Sequence, residues 1–75
     1  MQESVALLVR EAATLDAVAD ALGTAASVLI DLGNRAGGRR LRRMGRDQRV
    51  KALMRRAQAA SLLGRELSAA EATGL

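Results

Sequence analysis

Apolar and small residues recur through the first third of the chain at alternating steps of three and four: Val5, Leu8, Ala12, Leu15, Ala19, Leu22, Ala26 and Leu29. This is a heptad rhythm, with leucine at every second seam position and mostly alanine between. It predicts one helix over about residues 3–32, roughly 45 Å long at 1.5 Å per residue. Gly23 is the weak point, and Thr24 offers a cap for a new helix after it. The seam nevertheless keeps its phase from Leu22 to Ala26 to Leu29, which favours a continuous helix. Gly33 and Asn34 both suit the left-handed position that ends helices. Val9, Val18, Ala25 and Leu32 widen the stripe beyond a narrow coiled-coil seam, as bundle helices require. The small seam residues let an antiparallel partner helix approach closely.

A second run, Val50, Leu53, Ala57, Ala60, Gly64 and Leu67, predicts a helix over about residues 47–67, with Asp47 as N-cap and Met54 and Ser61 beside the seam. Its polar side carries Lys51, Arg55, Arg56, Gln58 and Arg65. Ser68-Ala-Ala-Glu71 has the form of a capping box, predicting a short turn over 68–75 that ends at Gly74. Between the two helices a straight-helix reading meets a conflict of phase. Arg39, Arg42, Arg46 and Arg49 would share one face, and that face would run directly into the Val50 seam. Leu41 and Met44 would point away. The conflict has two resolutions: a break near 45–47, or a helix that extends past the bundle so that its basic end stands free. The break is preferred, and it predicts a basic connector over about 33–46 with at most a short helical turn inside it. Fourteen residues is long against the two to eight usual between bundle helices.

The expected architecture is therefore all-α: a single domain over 1–75 forming an antiparallel helical hairpin with a long basic connector, dimerising into a four-helix bundle. The expected oligomer interface is Val5, Leu8, Ala12, Leu15, Ala19, Leu22, Ala26, Leu29, Val50, Leu53, Ala57 and Leu67.

Composition strengthens the case for association. The 75 residues include no Cys, His, Phe, Tyr or Trp, so disulfides, the usual zinc ligands and the largest core side chains are all missing. Chains this short bury little of their surface alone and commonly need a partner subunit. The same absences remove many general-base and nucleophile arrangements. Ser4, Ser27, Ser61 and Ser68 lack a nucleophile-elbow setting, and Lys51 lies outside any phosphate-loop motif. No enzyme activity, cofactor, metal or small-molecule substrate is expected. Asp16 and Asp20, four apart, form too small a ligand set to indicate a cation. No uninterrupted apolar run of about 18 residues occurs, so no transmembrane helix is expected. Nor does the start, with Gln2 and Glu3 ahead of its apolar run, read as a secretory signal. The expected location is the cytoplasm or a particle assembled there, and absent cysteine fits a reducing compartment.

Charge is divided along the chain. Residues 1–33 carry five carboxylates against Arg10, net −4; residues 34–56 carry nine arginines and Lys51 against Asp47, net +9; residues 57–75 are net −1. Such a block reads as an interaction surface. Arg35, Arg39, Arg40, Arg42, Arg43, Arg46 and Arg49 are the candidate contacts to nucleic-acid phosphates or to an acidic protein partner. Without aromatics there is no base-stacking platform, which points to backbone-dominated binding of weak sequence specificity. Four readings compete: phosphate binding; neutralisation of the basic block by the chain's own acidic segment; assembly on an acidic neighbour within a larger particle; and attachment to a membrane surface. The last is disfavoured because Leu41 and Met44 offer little apolar area. Ala60, Gly64 and Leu67 have the spacing of a helix-turn-helix, but the segment after that turn is short and carries Glu71 with no basic residue.

Overall fold

A computed structural model describes residues 2–72 and 74, with side chains from residue 3 onward. Two helices, α1 (Gln2–Asp31) and α2 (Arg35–Ala72), pack side by side in a rod of 63 × 15 × 11 Å. The chain is an all-α helical hairpin, as the periodicity predicts, and α1 passes through Gly23 without a break. Thr24 does not cap a second helix; its hydroxyl donates to the Asp20 carbonyl within α1, 3.1 Å away.

The reversal between the helices takes three residues. Gly33, at φ +92°, donates to the Ile30 carbonyl at 2.9 Å, and Asn34 donates to the Leu29 carbonyl at 2.8 Å. This pair of bonds is the Schellman closure, which satisfies carbonyls the helix end would leave open. Asn34 then serves the next helix. Its Oδ1 accepts from the Gly37 amide at 2.9 Å, while its carbonyl accepts from Gly38 at 3.1 Å, which is N-cap chemistry. Gly33 and Asn34 thus end one helix and start the next.

The predicted connector over 33–46 is not formed. Arg35 onward is helical, Asp47 lies in mid-helix rather than at a cap, and α2 runs on through Gly64 and Ser68 with neither a helix-turn-helix nor a new start. Gly74, at φ +79°, donates to the Glu71 carbonyl at 3.1 Å. Residues 73 and 75 of the expected terminal turn lie outside the described residues.

The phase conflict resolves through a stripe of small residues. The buried positions of α2 are Gly38, Gly45, Ala52 and Ala59, spaced by seven, and they face Ala12, Ala19 and Ala26, also spaced by seven. The Val50 seam lies roughly 100° or more around the helix from that line. Val50, Leu53 and Leu67 are 55%, 64% and 66% exposed, and Ala57 is exposed as well. The reason is energetic. Turning the Val50 seam inward would carry Arg39, Arg42, Arg46 and Arg49 toward the interface, and an unpaired guanidinium loses several kcal/mol on burial. Leaving a Val or Leu exposed forgoes only about 1.5–3 kcal/mol.

Close approach has a requirement at Gly38. A Cβ there would clash with the Ile30 side chain and lie 3.0 Å from the Ala26 carbonyl oxygen. At Gly45 a Cβ would meet Ala19 O at 3.5 Å and Leu22 Cβ at 3.7 Å, ordinary contact distances.

The predicted oligomer seam of α1 is therefore split. Ala12, Ala19 and Ala26 are used up inside the hairpin, whereas Val5, Leu8, Leu15, Leu22 and Leu29 are only half-buried. Although no uninterrupted apolar run occurs, α1 is long and apolar enough to cross a membrane, with a mean hydropathy of 1.4 in a window within Glu3–Asp31.

Candidate nucleic-acid interface

Because residues 35–49 are helical, the seven candidate arginines stand on a rigid rod with fixed spacing. Arg35, Arg42 and Arg49 recur every seven residues, a series that Arg56 continues, and Arg39 and Arg46 fill the adjoining row. These six line one flank of the hairpin over about 32 Å, at 1.5 Å per residue, comparable to one turn of duplex DNA, about 34 Å. Arg40 and Arg43 point further round, to the outer surface of α2. All seven candidates are exposed.

Three cross-helix ion pairs divide the basic residues into two groups. Arg49 Nη2 donates to Asp20 Oδ1 at 2.8 Å, and Arg56 Nη2 lies 2.7 Å from Asp16 Oδ2. On the opposite flank, Arg55 Nε donates to Glu11 Oε2 at 3.1 Å. The acidic residues of α1 therefore meet α2 only from Arg49 onward. Among the described residues, no carboxylate lies within 4.0 Å of a basic nitrogen of Arg35, Arg39, Arg40, Arg42, Arg43 or Arg46. Internal neutralisation thus reaches three of the ten basic residues of the block, Arg49, Arg55 and Arg56, and leaves the six arginines next to the turn without such a partner among the described residues. The N-terminal end of α2 adds its own positive dipole there, and no acidic residue occupies its first turn.

The two flanks differ in chemistry. The arginine flank carries a groove of about 230 Å³, lined by Ala19, Gly23, Arg42, Gly45, Arg46 and Arg49. The other flank bears the half-buried leucines Leu8, Leu15, Leu22 and Leu29 of α1 with Leu41 and Leu62 of α2. Its two grooves, of about 410 and 370 Å³, are lined in part by Leu7 and Leu15 and by Leu8 and Leu62. Asp16 and Asp20 are engaged with arginines, and no cluster of three or more potential metal ligands occurs among the described residues.

Sequence reasoning named the arginines but missed their order. The repeat of Arg35, Arg42, Arg49 and Arg56 carried that information, as did Gly38, Gly45, Ala52 and Ala59 for the buried line. Reading the glycines as breakers hid both. No family model matches this sequence, and no curated protein or solved structure matches it.

Proposed function

We propose that this protein is a non-enzymatic, helical nucleic-acid-associating module that binds phosphates through the arginine flank of α2. The observation that carries the reading is the uneven pairing: Arg49, Arg55 and Arg56 are held by carboxylates of α1, while Arg35, Arg39, Arg42 and Arg46 on the same helix are not. Uncompensated guanidiniums on a fixed rod favour a polyanion, and arginine suits phosphate through its forked donors. Binding of this kind is mostly backbone contact with weak sequence preference. An insertion of α1 into a membrane is less well supported, because it would separate Glu11, Asp16 and Asp20 from their arginines and charged groups inside a bilayer cost about 2.5–3.5 kcal/mol each.

Two copies joined through the leucine flank complete the unit as a four-helix bundle. This is supported by a hairpin core of Ala12, Ala19, Ala26, Ala52 and Ala59, with no large side chain fully buried among the described residues.

The test is a salt titration of duplex DNA and RNA binding. Changing Arg35, Arg39, Arg42 and Arg46 together to Ala is expected to abolish binding near 100 mM salt, with the salt slope falling by about 0.9 per lost phosphate contact on DNA. Changing Asp16 and Asp20 to Asn is expected to tighten binding severalfold. Wild-type protein that binds neither polymer, or binding indifferent to the four arginines, rejects the proposal. If the same four changes instead release an acidic protein partner, the assembly reading replaces it.

A further inference from the structure

We infer that the groove between Gly23 and Gly45 is a seat for one backbone phosphodiester; this rests on the nucleic-acid reading above and specifies where its central contact lies. Both glycines interrupt good helix, and packing requires neither. A Cβ on Gly23 would meet nothing within 4 Å, and one on Gly45 would meet only ordinary contacts, unlike the clash at Gly38. Yet both line the same groove, together with Ala19, Arg42, Arg46 and Arg49. That groove, of about 230 Å³, opens in the middle of the arginine flank with a glycine from each helix in its lining.

The chemistry matches a singly charged phosphodiester. Arg42 and Arg46 have no carboxylate within 4.0 Å among the described residues, so their donors are available to phosphate oxygens. Asp20 stands by the groove and engages one terminal nitrogen of Arg49 at 2.8 Å. A guanidinium has five N–H donors, so Arg49 retains donors for a second partner while Asp20 fixes its position. Asp20 also opposes any ligand of higher charge, which favours a diester over a terminal phosphate.

The experiment fills the groove without touching an arginine. Gly23→Leu and, from the other helix, Gly45→Ala are compared with wild type in duplex DNA binding across a salt series. Circular dichroism and melting establish that each variant is folded. Because neither position is crowded, both variants are expected to fold at least as well as wild type. Gly23→Leu is expected to weaken DNA binding three- to tenfold and to lower the salt slope by about 0.9, the loss of one phosphate contact, with a smaller weakening for Gly45→Ala. Folded variants that bind like wild type overturn the seat; if the four-arginine variant still loses binding, the wider reading survives. Should the four-arginine variant also bind normally, both fall. Inorganic phosphate serves as competitor: displacement of DNA at low millimolar phosphate, beyond that produced by chloride of equal ionic strength, would contradict the preference for a diester.

Discussion

At the scale of single residues, the glycines of this chain have unlike roles. Gly33 supplies a positive φ, Gly38 supplies closeness, and Gly23 and Gly45 leave space. The same substitution should therefore move stability in opposite directions. Gly38→Ala gains up to about 1 kcal/mol of helix propensity but forces the Ile30 side chain and the Ala26 carbonyl aside, an overpacking cost of about 1–3 kcal/mol. Gly23→Ala gains the propensity without the clash. Thermal melts should show the first variant less stable than wild type and the second more stable; equal shifts would mean that the helices are further apart at Gly38 than described. The ion pairs belong to a different category. Arg49–Asp20 has side chains 53% and 72% exposed, so it contributes at most about 1 kcal/mol after solvent screening. Such pairs orient arginines more than they hold the hairpin closed.

At the scale of elements, the contest in α2 was between a large apolar stripe and a small one, and the small one is buried. Ala52→Leu should push the helices apart and cost about 1–3 kcal/mol, whereas Leu53→Ala, one residue along and 64% exposed, should change stability by less than about 0.5 kcal/mol. Urea melts at low protein concentration distinguish the two, and a larger loss for Leu53→Ala would restore the Val50 seam as the packed face. This contrast also shows how far the chain could be read in advance. The continuity of α1, its stop at Gly33 and the hairpin itself followed from phase and end chemistry. The start of α2 did not, because a lone sequence does not reveal that Gly37 sits beneath the capping side chain of Asn34 or that Gly38 faces Ile30 and Ala26 of α1, where a missing Cβ is an advantage. In isolation each counts as a helix breaker. The arginines were legible as a set, but their division into paired and unpaired members depends on register between the helices, which no local pattern encodes.

At the scale of the whole molecule, a 63 Å rod buries only alanines among its apolar side chains and leaves eleven large hydrophobic residues exposed among those described. A face of that length and about 15 Å width exceeds the roughly 800 Å² per partner of a stable interface. Changing Leu15 and Leu22 to Lys should convert a sedimenting dimer into monomer and remove the dependence of melting on protein concentration; a wild-type monomer at micromolar concentration would contradict the second copy. The opposition of the two flanks then has a geometric consequence. Two hairpins joined leucine to leucine turn their arginine rows outward, back to back. They cannot grip one stretch of duplex from the same side. On the proposed reading, each pair would instead have a valence of two, one site per outer surface. Such a pair would act as a crosslinker, drawing separate segments of polymer together when protein is scarce and releasing them when every segment carries a pair of its own.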